Sequence, residues 1–201
     1  MKTKIEELYR ANDDIIDLLH LIKNIGWKTI REQSIQRLIY LSKVLYSFVY
    51  ETNINPYEEY HFSVSVSGPY SELIKRSILD LKVREVIEES QEGDIKLIDN
   101  QYKLSENENK IEWLKIIVYI IGLYGESKIF SFTINDPLYK EAVETNSQKE
   151  LNASAENITI KVLKEFKLAF EETLENVSEI SKQEYLELYF EYVFGKIITT
   201  K

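Results

Sequence analysis

The stretch that decides the fold runs from Tyr60 to Leu81 and reads YHFSVSVSGPYSELIKRSILDL. Its first eight residues alternate between apolar and polar side chains, which predicts a strand with one buried face. The apolar members are Tyr60, Phe62, Val64 and Val66. Gly68-Pro69 then predicts the end of this strand, because proline has no amide hydrogen to donate and suits the first turn of a helix. The helix predicted after this turn has one buried face, formed by Tyr70, Leu73, Ile74, Ser77, Ile78 and Leu81.

Two helices are predicted before this stretch, over residues 3–23 and 29–51. Each begins with the spacing of a capping box, in which a threonine is followed three residues later by a glutamate. The two pairs are Thr3 with Glu6 and Thr29 with Glu32. Asn12 interrupts the apolar stripe of the first helix, so one continuous helix and two shorter helices both remain open.

Two strands are predicted after the stretch, at Val83–Glu89 and Ile95–Leu104. Gly93 lies in their connection and can adopt a positive φ, which is typical of a hairpin. The order helix, helix, strand, helix, hairpin is close to that of a winged helix. We therefore predict a mainly α (α+β) protein, with a winged-helix-like domain at residues 1–104 and a helical partner-docking region at 105–201.

The second region is predicted to contain helices, one short strand and a polar loop. Capping patterns start helices at Ser105, at Asp136-Pro137 and at Ser181, and a further helix is predicted over 157–176. Alternation predicts the strand at 128–134, and polar composition predicts the loop at 144–156.

Composition excludes several functional classes. The chain has 201 residues, a formal net charge of −9 and no cysteine. The absence of cysteine excludes disulfides, thiolate metal sites and cysteine nucleophiles. An acidic chain is poorly suited to gripping phosphates as its main task. The N-terminus lacks the apolar segment of a secretory signal, and the longest apolar run, Ile116–Tyr124, is shorter than the ~20 residues of a spanning helix. We therefore expect a cytoplasmic protein.

No side-chain pattern indicates catalysis. His20 and His61 are the only histidines, and neither has a second ligand at helical spacing. Adjacent carboxylates such as Asp13 and Asp14 point about 100° apart on a helix, so solvated faces are expected for them. Gly68-Pro69-Tyr70-Ser71 lacks the pattern of a phosphate loop. We therefore expect no catalytic residue, no metal and no cofactor.

Four basic residues on or just after the predicted recognition helix form the candidate nucleic-acid contact. They are Lys75, Arg76, Lys82 and Arg84. Acidic residues surround them, which weakens attraction to phosphates. A solvated helix face is the alternative interpretation, and DNA contact is expected only within a larger complex.

The last helix is apolar on almost every side, which is unusual for a surface helix. One interpretation is a central core helix; the other is a partner surface rich in aromatic residues. For the second interpretation we assign Phe190, Val193 and Phe194 to the core. The predicted partner-binding residues are Tyr185, Leu188, Tyr189 and Tyr192.

Two segments carry a resemblance to a known group. Leu38-Ile39-Tyr40-Leu41, followed by Phe62 to Val66 and by Gly68-Pro69-Tyr70-Ser71-Glu72-Leu73, resembles bacterial winged-helix proteins of the YwgA-like and Panacea (SocA-like) groups. Those proteins carry a K-L-x-Y-L helix and a strand that ends in Y-G-P-Y-S-x-E-L. Here Ser67 stands where the group usually has tyrosine.

Such domains also resemble the small middle component of three-part bacterial defence systems such as Lamassu. The resemblance implies a non-catalytic accessory subunit that links an SMC/ABC-type ATPase to an effector protein in an antiviral or anti-plasmid complex. Two alternatives stay open. One is a Panacea-type antitoxin or adaptor that neutralises a toxin, and the other is a winged-helix DNA-binding regulator.

Overall fold

The structure is a computed structural model of the chain. It describes residues 3–50, 52, 54–98, 104–105, 108–145, 150–154, 156–173 and 180–199, with backbone only at 121 and 193–199. The described residues form eight α-helices and five short strands, so the protein is mainly helical as predicted.

Helix α1 (Lys4–Asn24) begins with the predicted capping box at Thr3 and runs unbroken through Asn12. The Asn12 amide is buried, donates to Asp80 at 2.8 Å and accepts from the Ser77 hydroxyl at 2.6 Å. Because these groups of the third helix satisfy Asn12, the polar residue interrupts the apolar stripe without ending the helix.

A strand that the sequence pattern did not reveal precedes the second helix. Strand β1 (Ile30–Arg31) comes directly before α2 (Glu32–Tyr50), so the prediction that Thr29 caps this helix is wrong. Ile30 is fully buried and lies opposite Ile95. A two-residue strand is too short to show a period of two, because that pattern needs at least four residues.

The central stretch forms a tight hairpin instead of one long strand. Strands β2 (Ser63–Ser65) and β3 (Gly68–Tyr70) pair antiparallel, with Ser65 opposite Gly68. The prediction that Gly68-Pro69 ends the strand and opens the helix is therefore wrong. The chain reverses at Val66-Ser67, two residues earlier than expected, and Gly68 directly after this turn has φ +112°, a conformation that favours glycine.

The predicted buried face of this strand is correct only in its first half. Tyr60 and Phe62 are buried, whereas Val66 stands at the turn and is fully exposed. Helix α3 (Glu72–Val83) follows, and it buries Ile74, Ser77, Ile78 and Leu81 as predicted. Leu73 is only half-buried, and Tyr70 lies in β3 instead of the helix, so these two members of the predicted face are wrong.

The second hairpin consists of β4 (Ile87–Glu89) and β5 (Asp94–Leu97), both shorter than predicted. Gly93 has φ +84° in the connection, as its expected role requires. Strand β1 adds to this hairpin, giving a three-stranded antiparallel sheet in the order β1-β5-β4.

Five helices follow: α4 (Glu108–Gly122), α5 (Gly125–Asn135), α6 (Pro137–Glu144), α7 (Ile158–Glu171) and α8 (Lys182–Thr199). The strand predicted at 128–134 is wrong, because these residues lie within α5. Ile129, Phe132 and Thr133 are buried there at helical spacing.

The helix starts predicted at Asp136-Pro137, Asn157 and Ser181 are confirmed by cap hydrogen bonds. The capping box predicted at Ser105 includes positions 106–107, which lie outside the described residues. The same holds for most of the predicted end of the helix at 157–176.

One hydrophobic core runs through both sequence regions and across the predicted boundary at 104/105. Helix α2 packs on the third helix and also on α4, α5, α7 and α8. Two buried hydrogen bonds reinforce this contact: Trp113 Nε1 donates to the Ser42 carbonyl at 2.8 Å, and Asn157 Nδ2 to the Val44 carbonyl at 3.1 Å.

Within the described part of the chain, no single helix is long and apolar enough to cross a membrane. One bent pair, Glu108–Ile120 with Gly125–Asn135, has that length and composition when its two helices are taken together.

Candidate functional site

Helix α8, the predicted docking helix, presents one broad face to the core. It packs on α2, α4, α5 and α7. Phe190 is fully buried, with its ring 4.3 Å from that of Phe132, so its predicted structural role is confirmed. The side chains of Val193 and Phe194 are not among those that the structure describes, so their predicted structural role stays a prediction. For residues 182–190, α8 buries one face and leaves Glu184 on the other face exposed, so it is not covered on every side as a central core helix would be.

Two of the four predicted partner-binding residues lie inside the protein. Tyr185 and Tyr189 are only 1% and 5% exposed, so the expectation that they form an open docking surface is wrong. Tyr185 packs edge-on against Phe170 and donates its hydroxyl to Glu171 at 2.9 Å. Tyr189 packs edge-on against Phe166. Neighbouring rings of α7 therefore cover the tyrosines that sequence reasoning placed outside.

The other two predicted residues lie at the edge between α7 and α8. Tyr192 is 52% exposed, and its ring lies 5.4 Å from Phe166. Leu188 is half-buried on the same side of α8. Phe166 stacks on Phe170 at 6.0 Å, and both rings are half-buried. We call Phe166, Phe170, Leu188 and Tyr192 the aromatic edge.

The solvent side of α8 next to the aromatic edge is acidic. Glu184 and Glu191 are exposed there, and Glu187 is half-buried. The Glu184 carboxylate accepts from the Ser181 amide at 2.6 Å, which lowers the pKa of Glu184 and keeps it ionised. The aromatic edge therefore lies beside a strip of negative charge.

The predicted nucleic-acid residues are largely neutralised by acids of the same chain. Lys75 pairs with Glu32 at 2.6 Å. Lys82 pairs with Glu89, and Arg84 reaches Asp80 at 3.4 Å. Arg76 is exposed on α3. A phosphate would have to compete with carboxylates already in place, as expected of a solvated helix face. Nucleic-acid contact by this cluster stays a prediction.

His20 lies in α1, and His61 lies just before β2. His61 is exposed and its Nδ1 lies 2.5 Å from a carboxylate oxygen of Glu150. His20 is half-buried, and among the described residues its Nε2 has no hydrogen-bond partner. Among those residues, no group of three or more histidine, cysteine or acidic side chains is placed to hold a metal ion.

Sequence reasoning missed a buried cluster of charges between α1, α4 and the loop before β2. Asp14, expected in a solvated face, is only 3% exposed. Lys110 Nζ lies 2.7 Å from Asp14 and 3.7 Å from Glu59, and the Tyr60 hydroxyl donates to Asp14 at 2.5 Å. Lys110 also lies 4.6 Å from the centre of the Tyr57 ring. We call these five residues the lysine cluster.

The lysine cluster contains one lysine and two carboxylates, and Lys43, outside the cluster, also attracts Glu59. Burial raises the pKa of Asp14 to about 6, because desolvation outweighs the attraction of Lys110. Among the described residues, neither carboxylate oxygen of Glu59 has a hydrogen-bond partner. No local pattern indicates this cluster, since Asp14 and Lys110 are 96 positions apart.

Comparisons of the chain with protein-family models, with curated proteins and with solved structures found no match.

Proposed function

We propose that this chain is a non-catalytic adaptor subunit that binds partner proteins through the aromatic edge. The observation that carries this proposal is the exposure of Tyr192 beside half-buried Leu188, Phe166 and Phe170. Large rings of this kind supply most of the binding energy in many protein interfaces, because they bury much apolar area and lose little side-chain entropy.

The charge beside the aromatic edge favours a basic partner. Glu184 and Glu191 are exposed on α8, and the whole chain has a net charge of −9. A partner that presents lysine or arginine around an apolar pocket would complement this surface and associate faster at low salt.

The resemblance described above supports a more specific assignment. In it, the partners are an SMC/ABC-type ATPase and an effector protein of a bacterial antiviral or anti-plasmid defence complex. The alternative is an adaptor that neutralises a toxin, which would use the same aromatic edge and its acidic neighbours to bind the toxin. The identity of the proteins encoded beside this chain distinguishes the two, because the first requires a long coiled-coil ATPase and the second a small toxin.

We also infer that residues 3–98 are a winged-helix domain. The order helix, strand, helix, hairpin, helix and two-stranded wing supports this, as does the addition of β1 to the β4–β5 hairpin. The neutralised basic residues Lys75, Lys82 and Arg84 favour protein over DNA as the partner of this domain.

Co-purification of the full chain with the proteins encoded in the neighbouring reading frames tests the proposal. Tyr192→Ala should weaken the complex by about 1 to 2 kcal/mol, roughly tenfold, because it removes an exposed ring. Its melting temperature should stay close to that of the parent chain, since Tyr192 is half exposed.

Tyr9→Ala is the matched control, because Tyr9 is a tyrosine of similar exposure (56%) on α1. It should bind the partner as tightly as the parent chain. If both variants bind the partner equally well, the aromatic edge is not the docking surface. If the chain binds DNA and no protein partner, the winged-helix DNA-binding regulator is favoured instead.

A further inference from the structure

A groove outside the aromatic edge lies between the start of α2, the β2–β3 turn and the first turns of α5. Its volume is about 680 Å³. Five of its side chains carry the argument below: Arg31, Arg37, Val66, Glu126 and Phe130. The groove belongs to neither the lysine cluster nor the basic residues of α3.

Arg37 is a buried charge at the base of this groove. It is only 9% exposed, and its Nη2 donates to the Ser67 carbonyl at 2.6 Å. The guanidinium carbon lies 4.6 Å from the centre of the Phe130 ring. Among the described residues, its Nε has no hydrogen-bond partner. A guanidinium buried with so few partners is stabilised when a further anion approaches it.

The groove has one carboxylate for two guanidinium groups. Glu126 accepts from the Arg31 backbone amide at 3.1 Å, while its carboxylate lies 4.0 Å from Arg31 Nε. The same Arg31 Nε also lies 3.8 Å from a carboxylate oxygen of Asp94. These separations are longer than hydrogen bonds, so Arg31 can rotate to bind a better-placed carboxylate.

Apolar surface lies next to these charges. Val66 is fully exposed at the tip of the hairpin, and Phe130 is half-buried beside Arg37. An apolar side chain bound over both would remove from water a valine that the isolated chain leaves uncovered.

We propose that this groove binds a short segment of a partner protein in which an acidic residue neighbours an apolar one. The acidic side chain pairs with the guanidinium groups of Arg31 and Arg37, and the apolar side chain covers Val66 and Phe130. This inference rests on the proposed adaptor function and supplies its second docking site. A single acidic side chain can pair with the guanidinium groups between Glu126 and Asp94, whereas the successive phosphates of a nucleic-acid backbone would be repelled repeatedly by these two carboxylates.

The test uses the full chain, labelled for NMR at valine methyl groups. The probe is the peptide acetyl-Leu-Glu-Leu-Asp-amide, compared with acetyl-Leu-Gln-Leu-Asn-amide. The acidic peptide should shift the Val66 methyl signals and bind about tenfold more tightly than the neutral one, which lacks the charge-assisted hydrogen bonds. Equal affinity for the two peptides would overturn the proposal.

Variants locate the site. Arg31→Gln and Val66→Ser should each weaken the acidic peptide about fivefold, and both alter exposed side chains that leave the fold intact. Arg76→Gln and Val83→Ser change exposed residues of the same types on α3 and should leave the affinity unchanged. Weakening by the controls alone would place peptide binding at α3 and overturn the proposal.

Two further measurements distinguish a failure of the groove proposal from a failure of the proposed aromatic edge. Tyr192→Ala should bind the acidic peptide as the parent chain does, so loss of the groove and loss of the aromatic edge are distinguishable. A short DNA duplex should not displace the peptide. Displacement that depends on Arg31 would assign the groove to nucleic acid and contradict the proposal.

Discussion

Two buried aspartates join the N-terminal region to the C-terminal helices, and their surroundings differ. Asp136 accepts hydrogen bonds from the Tyr40 hydroxyl at 2.7 Å, the Thr159 hydroxyl at 2.8 Å and the Tyr139 amide at 3.2 Å. Asp14 shares Lys110 with the second carboxylate of Glu59. Neutral donors surround the first aspartate, whereas the second belongs to a set of charged groups.

The difference predicts how each site responds to change. The donors to Asp136 are neutral, so none of them loses a charge near neutral pH, although burial also raises the pKa of Asp136 itself. Asp14 depends on the charge of Lys110 and on its own protonation, so the lysine cluster responds strongly to the loss of Lys110. We therefore expect substitution of charged residues to affect the lysine cluster more than the site around Asp136.

Lys110→Met should have the largest effect. It leaves buried Asp14 without its paired cation and leaves Glu59 with only the attraction of Lys43, which should cost about 3 to 5 kcal/mol of unfolding free energy near neutral pH. Chemical denaturation measures this loss. Lys115→Met, an exposed lysine of the same helix, is the control and should change stability little. A loss for Lys110→Met no greater than for the control would mean that the cluster is solvated.

Asp136→Ala should have the next largest effect. It leaves the buried hydroxyls of Tyr40 and Thr159 without their acceptor and removes the cap of α6, at a cost of about 2 to 4 kcal/mol. Thr3→Ala removes an exposed cap and should cost only about 1 kcal/mol. Equal losses in thermal melts of the two variants would contradict the role of Asp136 as a buried acceptor.

The pH dependence of stability should report the titration of Asp14. The pKa of Asp14 is raised to about 6, so the folded state binds a proton that the unfolded state has already released. Unfolding free energy should therefore fall as pH rises from about 4 to about 6, by roughly 1 to 3 kcal/mol.

Asp14→Asn should flatten this slope, although burial also raises the pKa values of Asp13 and Asp136, which keep part of it. Denaturant titrations at several pH values measure the slope. An unchanged slope in Asp14→Asn would show that Asp14 does not titrate in this range.

Local sequence signals predicted the features that depend on neighbouring residues. The caps at Thr3, Asp136, Asn157 and Ser181 were predictable, because the cap and its amide lie within three residues. The turn at Gly93 followed from the same kind of signal. Strand β1 was not predictable locally, because two residues show no period and tertiary pairing with β5 defines it. The helical spacing of Ile129, Phe132 and Thr133 was present in the sequence, but the alternation of apolar and polar residues over 128–134 was given more weight.

The candidate sites were harder to predict because they depend on distant pairs. Glu184, Glu187 and Glu191 recur at helical spacing and mark the solvent side of α8, a signal that the emphasis on its aromatic residues overlooked. The sequence does not show that rings of α7 cover Tyr185 and Tyr189 and leave Tyr192 exposed. Burial of Asp14 depends on Lys110, and the groove brings together Arg37 and Phe130 across 93 positions of sequence. No periodicity encodes such contacts.

The central claim is that the two regions form one rigid unit, which an adaptor with two docking surfaces requires. The two tryptophans test it directly, because Trp27 reports the N-terminal region and Trp113 the C-terminal helices. Trp27→Phe and Trp113→Phe each leave one reporter, and each variant is melted once with fluorescence and circular dichroism recorded together. The account predicts that fluorescence and circular dichroism give the same midpoint within each variant. If the fluorescence of Trp27 changes at a different temperature from the circular dichroism of the helices, the claim is contradicted.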